Sequence, residues 1–436
     1  MTGCDIDLLH LQLDPLRPLS ADGSEPYVDW PHRLNPGQPD VKSRLVRAFS
    51  RPSAPEHPAT RLLTGHRGVG KTTELNRVSA RLAAGEGGRK VFVSTLFAQQ
   101  WLDIEDVQPE ELVLQIVRQL VADLDAAGMD LPAKRLRAFW EKLKAIRPGI
   151  EIGVDPLKFS FSLKDFPAGR DEFRKLMRGQ LPTVYDLVNR ELIPKARAYL
   201  RQAHGFEDIL LVVDDLDKIP QKVITDGGLT NHENLFLDHA GTLRAISCNL
   251  VLTIPIDLAY SPAQVRLQND YGSLILTVPL VPVRTRTGAA VVAGEQALVE
   301  VIAERAARAG CATTGIFEDH DLLRRVVALS GGHMRSLIVF LAEMLDWTDA
   351  LPLTRPLVER YVSRSAKDMG RALFDADWAL LRQVRNRVEP VDDPRFFELL
   401  RNHYVFAYEE GDEDYWYGWN PLLDEIERGR PDGQPG

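Results

Sequence analysis

Gly65-His66-Arg67-Gly68-Val69-Gly70-Lys71-Thr72 fits the spacing G-x-x-x-x-G-K-[ST] at every fixed position. Residues of these types in this order suit a polyphosphate. The glycines let consecutive backbone N–H groups curl around the β- and γ-phosphates, the lysine neutralises charge, and the hydroxyl ligates Mg²⁺. Gly65, Gly68, Val69, Gly70, Lys71, Thr72 and Thr73 are therefore the expected nucleotide-binding residues, with Thr72 on the metal. A second chemical group lies far along the chain, where the apolar run Ile209-Leu210-Leu211-Val212-Val213 ends in Asp214-Asp215-Leu216-Asp217. Mg²⁺ and an attacking water both need oxygen ligands near the γ-phosphate. Asp214 is the expected metal-side carboxylate and Asp215 the water-polarising one, with Asp217 as the alternative base.

These groups need a scaffold. Arg61-Leu62-Leu63-Thr64 reads as a short buried strand, and Thr73 to Leu82 repeats its apolar residues at helical spacing. A strand, a glycine turn and a helix N-terminus are what an anion site requires. The unbroken apolar run before Asp214 is expected of a central parallel strand covered on both faces. Lys90 to Leu96, Asn249 to Pro255 and Leu274 to Leu280 supply further strands. The fold class expected is α/β, with a five-stranded parallel sheet flanked by helices.

With both motifs in view, the chain resembles the P-loop NTPases of the division that includes the AAA+ and STAND ATPases, in which a second acidic residue follows the metal-binding Asp. That residue is usually Glu in AAA+ proteins. Here it is Asp215, which is closer to the STAND-type signalling ATPases. A base shortened by one methylene places its water less well, and about 1 Å of misplacement costs on the order of a hundredfold in rate, so slow turnover is expected. The resemblance implies ATP and Mg²⁺ as cofactors. It also implies that Thr253, near the end of the 249–255 strand, is a first γ-phosphate sensor, although a strand Thr is equally an ordinary β-branched packing residue. Ala328-Leu329-Ser330-Gly331-Gly332-His333-Met334-Arg335-Ser336-Leu337 is similar to the lid signature of origin-recognition and related AAA+ ATPases. It implies that Arg335 is a second sensor, set after a Gly-Gly helix end. By resemblance alone, Tyr27, Trp30 and Asn35 are candidate base contacts, and Arg284 and Arg286 candidate arginine fingers.

Four regions are expected: an N-terminal approach segment (1–58), an ATPase core (59–285), a helical lid (286–373) and a winged-helix-like module (374–436). The core carries an insert at about 98–208. In the insert, helical patterns at 109–127 and 131–146 precede alternation from Ile150 to Leu163 that suggests a hairpin, then a long helix at 170–203. Lid helices are expected at 295–309, 318–329, 335–347 and 354–373. In the last region, helix-like stretches at 378–384 and 395–401 precede two aromatic strands around Glu409-Glu410-Gly411-Asp412-Glu413-Asp414. Phosphate contacts supply most of the affinity for a duplex, and this wing is acidic, so it reads as a protein-contact or self-regulatory element. Arg382, Arg385, Arg387 and Arg395 keep DNA open as a partner.

The chain has 436 residues, 44% of them hydrophobic and 26% charged, which suits a globular protein of more than one domain. A formal net charge of −9 argues against wholesale coating of nucleic acid. Cys4, Cys248 and Cys311 show no paired spacing, so neither a disulfide nor a zinc site is expected. No apolar run approaches a membrane span, and a cytoplasmic location with no membrane partner is expected. The function expected is a nucleotide-driven regulatory ATPase with a protein effector or regulator, set in bacterial signalling or anti-phage defence. The alternative is a DNA-associated AAA+ ATPase of origin-recognition or transposition-regulator type. A nucleotide-dependent homo-oligomer stays open.

Overall fold

The computed structural model describes residues 4–34, 39–52, 57–130, 170–387, 389, 393–410 and 414–428. The expected helix at 131–146, the hairpin at 150–163, Asn35 and the wing tip at 411–413 lie outside them. The chain gathers into two compact units. Residues 41–64 and 77–276 form one, the sheet unit; residues 1–40, 65–76 and 277–436 form the other, the lid unit.

The sheet unit is organised by β1 (Thr60–Thr64), β2 (Val91–Phe97), β3 (Asp208–Asp214) and β4 (Asn249–Thr253), with β5 (Leu276–Thr277) at the edge, in the order β2-β3-β4-β1-β5. The β2–β3, β3–β4 and β4–β1 pairs are parallel, and register places Val213 opposite Leu252 and Leu63 opposite Thr253. All seven residues of β3 are buried, as its unbroken apolar run requires of a strand covered on both faces. Because β1, β4 and β3 are neighbours and parallel, their carboxyl ends align at one end of the sheet, where ligands bind in open α/β sheets. β5 is shorter than the 274–280 strand expected: Leu274 is exposed and Pro279 has no N–H to give a ladder.

One face of the sheet is covered by α4 (Pro109–Ala126), preceded in the chain by α2 (Val41–Ser50) and α3 (Lys71–Ala83), which follows the phosphate loop. The helix α1 (Ile6–Gln12) belongs to the lid unit. The long helix expected at 170–203 is a run interrupted once: α5 (Arg170–Leu187) and α6 (Ile193–His204) are joined by a π-helical turn at Val188–Leu192. Pro194, in the first turn of α6, cannot donate the i→i−4 bond, and the wider turn absorbs that loss. α5 is tied to α4 where Arg170 and Arg174 each donate to Glu111 at 3.0 Å. Glu111 is fully buried, so its charge depends on this double pairing.

In the lid unit, α7 (Val292–Arg308), α8 (His320–Leu329), α9 (Met334–Leu345) and α10 (Arg355–Gly370) enclose an apolar core that also takes Leu9 and Leu13 from the N-terminal segment. Cys4 and Cys311 are disulfide-bonded, which corrects the expectation of unpaired thiols. They are 307 residues apart in sequence, so no spacing signal exists. Docking of α1 on α7 brings their Cα atoms to 4.5 Å. Cys248 is a buried free thiol. The chain continues through α11 (Asp375–Arg385), α12 (Pro394–Arg401) and an antiparallel hairpin, β6 (Val405–Glu410) with β7 (Asp414–Trp419). A last helix, α13 (Leu422–Arg428), not anticipated from sequence, lies along α10. Among the described residues, no helix is long and apolar enough to cross a membrane.

Candidate nucleotide site

The phosphate loop begins at Gly65, where β1 ends, and leads into α3. Gly65, Gly68 and Gly70 all have positive φ (142°, 92° and 104°), a conformation that a side chain would strain. At Gly68 space adds a second demand, since a Cβ would stand 2.6 Å from Arg335 Cβ and 2.9 Å from its Nε. Lys71 Nζ folds into the loop, donating to the Gly65 carbonyl at 2.7 Å and the His66 carbonyl at 2.9 Å. These bonds hold a buried ammonium at the loop, with the N–H groups of the first turn of α3 beside it. Thr73 Oγ1, expected on the nucleotide side, accepts the Leu19 N–H at 3.0 Å.

Arg335 enters the same loop from the lid. Its backbone N–H donates to the Gly68 carbonyl at 3.2 Å, and its Nε to the Pro15 carbonyl at 3.2 Å. The turn that delivers it is tight: at Gly332 (φ 82°) a Cβ would overlap the Val281 carbonyl oxygen. Of the candidate base contacts, the Tyr27 hydroxyl donates to Glu74 at 3.1 Å, and Trp30 packs on the lid core. Both are anchors of the N-terminal segment in this structure.

Three histidines that sequence reasoning passed over back the loop. His66 belongs to the loop, His333 precedes α9, and His403 follows α12; His66 lies 5.6 Å from His403 and 6.5 Å from His333 between ring centroids, and His333 lies 4.6 Å from His403. The Ala407 N–H donates to His66 Nε2 at 2.9 Å, so that ring is neutral with its proton on Nδ1. His333 Nε2 donates to the Arg67 carbonyl at 2.7 Å while its Nδ1 faces Ser336 Oγ at 2.7 Å. Burial, reinforced by the charges of Arg335 and Lys71, pushes His333 down to about 4, against the bond to Arg67. Burial likewise holds His66 and His403 well below the ordinary imidazole range. Two of them lie inside sequence motifs, His66 in the glycine run and His333 in the Gly-Gly turn, and neither motif assigns the imidazole a role. Val69 packs with Leu280, Phe406, Tyr408 and Trp416, which seats the β6–β7 hairpin behind the loop.

The acidic group is in the sheet unit. Asp214 Oδ1, at the end of β3, accepts the Asp215 N–H at 2.8 Å. Asp215 itself has φ 71°, the left-handed region that costs a non-glycine residue about 1–2 kcal/mol. Its carboxylate pairs with Lys218 Nζ at 2.6 Å. Thr253 Oγ1 accepts the Leu216 N–H at 3.1 Å and donates to the Val213 carbonyl at 3.4 Å, so the hydroxyl braces the turn that carries Asp215. Asp217 is buried in the same turn. The i+3 spacing of Lys218 from Asp215 is the sequence signal of this pair.

The two arginines past the last strand differ. Arg284 donates to the Trp419 carbonyl and lies over the Tyr408 ring at 5.5 Å, so it is internal structure and cannot serve as a finger from this position. Arg286, half exposed, faces Glu389 at 3.4 Å. Thr72, in the lid unit, offers a hydroxyl, and Asp214, in the sheet unit, a carboxylate. Among the described residues no cluster of three or more His, Cys, Asp or Glu is placed to hold a metal by itself.

The described residues thus comprise a sheet unit of α/β type and a helical lid unit that carries the glycine-rich loop and the β6–β7 hairpin. No family model and no curated protein matches the chain. Among solved structures it is similar to a Drosophila origin-recognition complex bound to DNA (14% identity, covering 98% of this chain and 92% of that one, TM-score 0.40). It is also similar to a Walker-type ATPase of Pyrococcus abyssi (14%, 96% and 99%, 0.41) and to the Aeropyrum pernix ORC1 protein in complex with DNA (15%, 90% and 94%, 0.35).

Proposed function

We propose that the protein is an ATP-binding, slowly hydrolysing ATPase in which the nucleotide sets the position of the lid turn. One observation carries this reading: Arg335 is bonded to the phosphate loop at Gly68 through its backbone and covers it with its side chain. A triphosphate in the loop must then meet the lid residue that touches the loop, and its charge favours a bidentate guanidinium contact. Lys71 would exchange its two carbonyl partners for phosphate oxygens. Thr72 and Asp214 would hold Mg²⁺, which supplies charge neutralisation on the β- and γ-phosphates when bound. Asp215 would orient the attacking water once Lys218 releases it, and Thr253 would act as a positioning residue for that turn. The Lys218 pairing and the short Asp215 side chain both favour slow turnover.

A partner-gated switch in bacterial signalling or defence follows from the Asp215 resemblance, and a protein effector would read the lid. The test is ATP hydrolysis against a Lys71→Ala background, with protease protection measured with and without ATP. We expect weak turnover absent from Lys71→Ala, and protection lost in Arg335→Ala. Wild-type affinity in Lys71→Ala, or unchanged protection in Arg335→Ala, overturns the reading. The DNA-associated reading is favoured by one separate observation, a basic helix face.

A further inference from the structure

Two of the four arginines that kept DNA open in sequence, Arg385 and Arg395, are paired inside the C-terminal module. Arg395 grips Asp377 through two bonds of 2.6 and 3.1 Å. Arg385 pairs with Glu427 and lies 4.7 Å over the Trp419 ring, and Arg382 donates to the Trp378 carbonyl. Carboxylates thus offset the charges of Arg385 and Arg395, while Arg382 and Arg387 stay exposed.

α10 is the reverse case. Its inner face buries Val358, Tyr361, Val362 and Ala366. Its outer face carries Arg360, Arg364 and Lys367, continued by Arg371 at the C-cap, at intervals of 4, 3 and 4 residues that keep them in one row. All four are exposed, and they line a surface depression of about 440 Å³ together with Ser363 and Asp368. Glu359 is turned away to Arg325 at 2.8 Å, which leaves Asp368 as the carboxylate in the row. Asp368 pairs with Arg371 at 2.8 Å and reaches Arg364 at 3.8 Å; Arg360 and Lys367 have no ion pair among the described residues. Four cations and one carboxylate leave a local charge of about +3 on a chain whose net charge is −9. Trp347 lies beneath, 4.9 Å from the Arg360 guanidinium and 5.6 Å from that of Arg364, and holds the two stems outward.

We propose that this face of α10 is a docking surface for the sugar-phosphate backbone of duplex DNA. The row is about 16 Å long at 1.5 Å per residue, a length along which one strand presents about five phosphates at 3.4 Å each. Cations spaced regularly along a rigid helix, with no apolar patch among them, match a regular line of charge. Contacts of these cations to phosphates carry no sequence information, so binding through them is independent of sequence and strongly dependent on salt.

The inference rests on charge placement and stands apart from the nucleotide reading, so ATP affinity and DNA affinity are measured separately. The experiment is retardation of a random-sequence duplex of about 30 base pairs across a salt series by the full chain. The variant is Arg360→Gln/Arg364→Gln/Lys367→Gln/Arg371→Gln, in which glutamine keeps the stems over Trp347; Arg364→Gln/Lys367→Gln is a milder second variant. Retardation by the wild type at low salt is expected. The quadruple variant should bind at least about thirtyfold more weakly, with a salt slope shallower by roughly 3, at about 0.9 per phosphate contact. The double variant should fall between, and both should keep wild-type ATP affinity and thermal stability. Absence of wild-type retardation, equal retardation by the quadruple variant, or binding of polyglutamate in place of duplex would overturn the proposal.

Discussion

The phosphate loop and the acidic strand end are built on opposite principles. The loop is organised by backbone: positive-φ glycines shape it, its own carbonyls hold Lys71, and neutral imidazoles back it in the lid unit. The acidic end is organised by side chains: Asp215 sits on a strained backbone, Lys218 occupies its carboxylate, and Thr253 braces its turn in the sheet unit. The difference teaches that binding and turnover should respond to different substitutions, because the first resides in backbone geometry and the second in a few polar contacts.

Lys71→Ala is the most damaging test. Removing the cation should weaken ATP binding by a hundredfold or more, about 2.7 kcal/mol or greater, as read by titration with a fluorescent ATP analogue. Asp215→Asn comes next: turnover should fall by about a hundredfold with affinity within about threefold of wild type, and a parallel fall in both would erase the contrast between the two regions.

Acidification discriminates further. The folded His333 titrates near 4 and the unfolded one near 6.5, so the unfolded chain takes up the proton first. This histidine's contribution is therefore intact above about pH 6.5 and is lost as pH falls toward 4; at pH 5 the loss is about 2 kcal/mol. Denaturant midpoints at pH 7.5 and pH 5 measure it, and His333→Gln should lessen the dependence. Protonating His66 would remove the acceptor of the Ala407 N–H. Hydrogen-exchange protection at Ala407 should fall with pH more than at Leu216, whose acceptor is a hydroxyl. The smallest effect is expected from Thr253→Val, which leaves the buried Leu216 N–H unpaired at a cost of about 1–2 kcal/mol and slows turnover less than tenfold.

Local pattern made several elements legible. Helical spacing marked the lid helices, an unbroken apolar run marked β3, and aromatic alternation around a polar turn marked the β6–β7 hairpin. The break at Val188–Leu192 was harder to see, since one proline can be met by a π turn as easily as by a helix end. The Cys4–Cys311 bridge, the histidine cluster and the helix α13 along α10 left no local trace, because each joins residues far apart in sequence.

Arginine shows the limit most plainly. The sequence points to cations of α11 and α12, yet carboxylates there neutralise Arg385 and Arg395, while three residues of α10 and its C-cap Arg371 remain outward. Residue order by itself determined which segments become strands, helices and a glycine-rich phosphate loop, since those follow from periodicity and from conformations only glycine adopts freely. Tertiary structure alone decided which charges are spent internally, which imidazoles are kept dry and neutral, and that Arg335 reaches Gly68, because desolvation and pairing depend on neighbours that the chain brings together only when it folds.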